Sequence, residues 1–116
     1  MTIKIMLSFP HRNLNPNVAK GRHWSTVSTL KSAARKEGYF LALEKKHAFY
    51  EHSIPLAITF CMSDRRKRDA DNLLASIKSA LDGVADGLGV NDSQFEPVTI
   101  RRVYGAEKAC VILEIG

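Results

Sequence analysis

The chain has 116 residues and a mass of 12.9 kDa, with 45% hydrophobic and 25% charged residues, seven Gly, four Pro and two Cys. That composition excludes a disordered or collagen-like chain and a disulfide-stapled miniprotein, and one domain over residues 1–116 accounts for the length. The net charge of +5 hides an asymmetry: residues 1–60 hold nine Lys/Arg against three acids, and residues 61–116 hold eight against nine.

In chain order, residues 3–9 put Ile3, Ile5, Leu7 and Phe9 on one side and Lys4, Met6 and Ser8 on the other, a strand with one buried face. The polar stretch 10–24, rich in Pro, Asn and Gly, reads as a loop. A helix is predicted from residue 25 or 26 to about residue 50. Its stripe is Leu30, Ala33, Ala34, Leu41 and Ala48, and Gly38 weakens it by roughly 1 kcal/mol relative to Ala. Residues 54–62 alternate as a second strand. A second helix is predicted over 69–85, with Leu73, Ile77, Ala80, Leu81 and Val84 on one face and Asp71, Ala75, Lys78 and Asp82 opposite. Strands at 95–104 and 109–115 complete the chain, predicted as a hairpin through Gly105. The order β-α-β-α-β-β indicates an α+β domain with a mixed sheet.

The longest uncharged stretch, around residues 53–63, is far short of the ~20 residues that span a bilayer. The alternating N-terminus lacks the apolar core of a signal peptide. No membrane association is expected. Cys61 and Cys110 sit singly in apolar runs, which suits buried, reduced thiols of a cytoplasmic protein.

Chemistry concentrates where strand meets helix. All six aspartates, Asp64, Asp69, Asp71, Asp82, Asp86 and Asp92, fall within residues 64–92. Four consecutive bases, Arg65, Arg66, Lys67 and Arg68, precede Asp69, Asp71 and Asn72. A single Asp at a helix start acts as a cap, but a cap needs only one. Two closely spaced carboxylates are hard ligands suited to Mg²⁺, which keeps several waters and takes phosphate oxygens. Adjacent bases hold a phosphodiester, and Asp92 offers a third carboxylate. The EF-hand fails, since Leu74 and Ala80 stand where Gly and Glu are required. There is no zinc motif and no phosphate-binding glycine loop, so no nucleotide cofactor is expected. His23 beside Arg22 and Trp24 suits either a nucleic-acid contact or an ordinary loop with Trp24 packed as a lid.

The run from Asp64 to Leu73 (DRRKRDADNL), a helix, and then Asn91-Asp92-Ser93-Gln94 resembles the RusA-type Holliday-junction resolvases of bacteria and prophages. The likeness continues more weakly through the first strand, the Pro/Asn loop and the stretch containing Lys20 and Arg22. It implies an endodeoxyribonuclease dependent on Mg²⁺, with Mn²⁺ as a substitute, that resolves four-way junctions in recombination and repair. It implies that Asp69, Asp71 and Asp92 are catalytic metal ligands, that Asn72 supports them, and that residues 65–68 contact DNA phosphates, with Lys20 and Arg22 added. A homodimer is expected, because two symmetric nicks need two sites. The family places a Lys where this chain has Ala75; Lys78, one turn on, is the candidate to replace it by leaning back toward the carboxylates, or else pairs with Asp82. The alternatives are a branched-DNA or RNA-binding module that has lost turnover, and an interaction protein whose aspartates only cap a helix.

Overall fold

The computed structural model describes residues 2–19, 23–45, 49 and 52–116. The alternating segments become β1 (Ile3–Ser8) and β2 (Ile54–Cys61), each burying every second residue. The loop after β1 carries a 3₁₀ turn (Arg12–Leu14) and one helical turn, α1 (Pro16–Ala19), before α2 (Trp24–Leu43). After β2 come α3 (Ala70–Ser76), α4 (Lys78–Leu88), a 3₁₀ turn (Asp92–Gln94), β3 (Phe95–Val103) and β4 (Cys110–Ile115).

The four strands form one mixed sheet in the order β1-β4-β2-β3. β4 runs antiparallel to both of its neighbours and β3 lies parallel to β2, so the expected β3–β4 hairpin does not exist. The residues explain why. β4 contributes Val111, Leu113 and Ile115, all fully buried, whereas β3 carries Pro97, Arg101 and Arg102 and is exposed along most of its length. A Pro-bearing, two-sidedly polar strand belongs at an edge. β4 therefore takes the centre, and residues 104–109 cross the end of β2, held by Ala106 N–H to the Met62 carbonyl at 2.9 Å.

One face of the sheet is covered by helices. Ile5, Leu7, Leu56, Ile58, Phe60, Val111 and Leu113 meet Leu73, Ile77, Val84 and Ala85 there. The opposite face, with Met6, Thr59 and Cys61, carries no helix among the described residues.

Two helix expectations are corrected. α2 ends at Leu43 rather than near residue 50, because α4, its packing partner, runs out at the same level: a Cβ on Gly87 would lie 2.6 Å from the Tyr39 carbonyl and 3.4 Å from Leu43 N. Ala48 lies outside the described residues. Gly38 is a buried contact, not a weak point: a Cβ there would sit 2.2 Å from the Ala80 carbonyl, and one on Gly83 would sit 2.0 Å from the Arg35 carbonyl. Two backbones in contact need glycine at both positions. The Arg35–Asp86 ion pair flanks this crossing.

The predicted second helix is two. Ile77 leaves helical geometry at φ −106°, ψ 8°, and the buried Ser76 hydroxyl donates to the Asn72 carbonyl at 2.8 Å. Such back-bonding bends a helix. α4 then runs to Leu88, where Gly89 at φ +73° closes it: Gly89 N–H donates to the Asp86 carbonyl and Val90 N–H to that of Ala85.

Candidate functional site

β2 ends against α3, and the turn between them places two carboxylates at a helix start. Asp69 occupies the N-cap position with extended backbone (φ −74°, ψ 137°), yet its side chain makes no capping hydrogen bond. Asp71 lies exposed in the first turn. Neither carboxylate has a hydrogen-bonding or ion-pairing partner among the described residues. The capping explanation therefore does not account for either.

Asp71 opens onto a cavity of about 550 Å³ shared with Lys31, Ala75 and Lys78. Lys78 does not lean back over Ala75. Its ammonium runs forward, donating to Asp82 Oδ1 at 2.5 Å and to Asp92 Oδ2 at 2.7 Å. Both alternatives for Lys78 contained part of the arrangement: it pairs with Asp82, and it also reaches one of the three carboxylates. The Lys78 hydrogen bond, with its charge, holds Asp92 below the usual carboxylate range. The bonds to Asp82 and then Asp92 raise Lys78 in turn. Asn91 aims Asp92 by capping its 3₁₀ turn: the Asn91 side chain accepts from Ser93 N–H, and the Gln94 side chain returns the bond.

The four bases separate into roles. Arg68 is held inward by a bidentate pair with Asp64 (2.7 and 3.0 Å) and stacks over Phe9, while Arg102 donates to its carbonyl at 2.7 Å. Arg66 N–H also donates to Asp64. Arg68, then the Arg66 backbone, pulls the Asp64 carboxyl down to about 2. Asp64 thus organises the loop. The Arg66 side chain remains 79% exposed, Lys67 is exposed, and Arg65 lies against Gly105.

Arg66, Lys67 and Arg68 line a groove of about 520 Å³ with His11, Arg12 and Asn15. Ser76 borders both this groove and the Asp71 cavity, so basic and acidic surfaces adjoin. His11, Arg12, Lys31 and Arg102 were not singled out from the sequence. The one local signal was the His-Arg pair directly after Pro10; the others reach the site only through tertiary contacts. Lys20 and Arg22 lie outside the described residues. Asn72 is half-buried beside Asp71. Trp24 is no lid: it is 75% exposed at the start of α2 and stacks on His23, whose Nδ1 accepts from Ser25 N–H.

Among the described residues no set of three His, Cys, Asp or Glu side chains is arranged to hold a metal ion. Asp69 and Asp71, free of partners, suit a hard cation that takes one or two carboxylates and keeps its waters. Asp92 is engaged by Lys78 instead. Also among the described residues, no helix is long and apolar enough to cross a membrane.

The Endodeoxyribonuclease RusA family matches residues 10–116, and the chain belongs to that family. An uncharacterized protein of Xylella fastidiosa (strain Temecula1) is 32% identical over 97 residues, covering 78% of this chain. The match spans 61% of that relative's length.

Proposed function

We propose that the chain is a metal-dependent, structure-selective endodeoxyribonuclease that cuts four-way DNA junctions by paired symmetric nicks, working as a homodimer in recombination and repair. One observation carries the reading: two carboxylates without a partner among the described residues, Asp69 and Asp71, open a helix directly beside a groove lined by Arg12, Arg66 and Lys67. Membership of the RusA family supports it.

In this reading the exposed Arg66 and Lys67 hold backbone phosphates, with Arg12 on the facing wall. Affinity then falls steeply with salt as counterions return to the DNA. Asp64 and Arg68 keep the loop in shape. Asp69 and Asp71 would bind Mg²⁺ or Mn²⁺, which supplies an ionised water and stabilises the leaving oxygen. Lys78 fixes Asp92 in place, and Asp82 aims Lys78. The exposed Trp24 ring offers a stacking face for an unpaired base. A junction has near two-fold symmetry, so two copies of one site supply the two nicks.

The test uses purified protein and a labelled synthetic four-way junction, with Mg²⁺ or EDTA, beside Asp71→Asn. Paired nicks that require Mg²⁺ and vanish in the variant support the enzyme. Ala75, at the position where the family resemblance places a lysine, favours the second reading, a binding module. Tight binding in EDTA without cleavage in Mg²⁺ establishes the module and overturns the enzyme. Failure to bind the junction overturns both.

A further inference from the structure

Cys61 and Cys110 are not the isolated, buried thiols their apolar flanks suggest. Cys61 is the last residue of β2 and Cys110 the first of β4, and the antiparallel register sets them directly opposite each other. Both are free thiols and both are half-buried on the sheet face that carries no helix, so small solutes reach them. Directly opposed residues in an antiparallel pair have Cα atoms about 4.5 or 5.5 Å apart. Either value falls inside the range of about 4.4–6.8 Å that a disulfide spans. Both residues terminate their strands, where the ladder yields most easily.

We infer that Cys61 and Cys110 form a redox-active dithiol, a modification site at which a peroxide closes a reversible intramolecular disulfide between β2 and β4. Cα pairing in the register puts the two side chains on the same face of the sheet, directly across from each other. Burial, then the neighbouring Cys110, raises the Cys61 thiol above its ordinary value. The step balances simply. One thiolate attacks a peroxide oxygen, the O–O bond breaks, and a sulfenic acid and water result. The neighbouring sulfur then displaces the hydroxyl as a second water, so two thiols and one hydrogen peroxide give one disulfide and two waters. A thiol reductant restores the pair by exchange. The linkage joins β2 to the central strand at the point where residues 62–69 depart toward the basic groove. The inference rests on the strand register alone and is independent of any nuclease activity.

The experiment treats the native, reduced protein with equimolar hydrogen peroxide and counts accessible thiols before and after. Expected are two thiols falling to none, a mass loss of two hydrogens, a peptide linking the two cysteines, and full reversal by dithiothreitol. The oxidised chain stays monomeric on a non-reducing gel, and its Tm rises by roughly 8–16 °C, because a loop of about 50 residues is closed in the unfolded state. Cys61→Ser and Cys110→Ser each abolish the mass loss and the Tm rise. A second probe needs no oxidant: phenylarsine oxide, which bridges neighbouring thiols, protects both cysteines in the reduced protein. Two thiols still titratable after peroxide, intermolecular cross-links, or absence of arsenical protection each overturn the inference.

Discussion

Gly83→Ala separates two accounts of the helix pair that carries the site. Intrinsic propensity alone favours Ala over Gly in a helix by about 1 kcal/mol, which predicts stabilisation. The crossing geometry predicts the reverse. A Cβ at residue 83 would lie 2.0 Å from the Arg35 carbonyl oxygen, 2.9 Å from its carbon and 3.0 Å from Tyr39 N, whereas ordinary contact begins at 3.4 Å. The obstacle is backbone, so no side chain swings away, and α4 must retreat by about the difference, 1.4 Å. That retreat loosens the packing of Val84 and Ala80 against the sheet. Overpacking of this kind costs about 1–3 kcal/mol, and a gap opened elsewhere of 0.5–1 Å forfeits roughly a quarter to a half of each affected contact. Taking the upper end, less the propensity gain, leaves about 2 kcal/mol of destabilisation, or a fall in Tm of roughly 8 °C for a chain of this length.

Thermal unfolding followed by circular dichroism at fixed protein concentration measures it. Gly38→Ala meets the Ala80 carbonyl at 2.2 Å from the other helix and shifts Tm in the same direction. One displacement relieves both clashes, so the double variant loses less than the sum of the two. A Tm that rises in Gly83→Ala refutes the backbone crossing.

Carboxyl-detected NMR places the Asp64 titration midpoint near 2, and Arg68→Gln returns it toward 3.8; a wild-type midpoint at 3.8 contradicts the ion pair. Since the folded value is depressed, the loop's support from Asp64 is complete above pH 4 and is lost as pH falls through 2. Lys78→Met shifts Tm by no more than about 4 °C, as expected for exposed ion pairs, yet lowers junction cleavage at least about tenfold by freeing Asp92; undiminished cleavage refutes the role given to Lys78. Arg66→Ala and Lys67→Ala each weaken DNA binding equally across sequences and reduce the salt slope by about one; an unchanged slope removes that residue from the interface.

How much of this was legible depended on how local each feature is. β1 and β2 are readable because burying one face of a strand imposes strict alternation. Asp69 and Asp71 are readable because a helix start is set by neighbours in sequence. The α2 stripe is half legible: Ala34 and Leu41 pack against the core as expected, but the buried positions are Gly38 and Ala42, and small residues leave no hydrophobic signature. Of the expected stripe, Ala33 is exposed. The β3–β4 pairing misleads for a different reason: adjacency in sequence suggests a hairpin, but Pro97, Arg101 and Arg102 require an edge and Val111, Leu113 and Ile115 a centre. Those residues held the answer. Nothing local, by contrast, announces that Lys78 bonds Asp92 fourteen positions away, or that Arg12 and Lys67 line one groove.

The strand directions explain why the basic residues converge. β4 is antiparallel to both β1 and β2, and β3 is parallel to β2, so β1, β2 and β3 all end on the same side of the sheet. The segments that leave those three ends carry His11 and Arg12, then residues 65–68 and Asp69, then Gly105. Hydrogen bonds join them there: Gly105 N–H to the Asp64 carbonyl, and Arg102 to that of Arg68. In sheets with parallel strands, ligands favour the carboxyl ends, where helix N-termini also point. Asp92 enters from the opposite end, since it precedes β3. The acidic residues therefore lie at two ends of the sheet: Asp69 and Asp71 where β2 gives way to α3, and Asp92, bonded by Lys78, before β3.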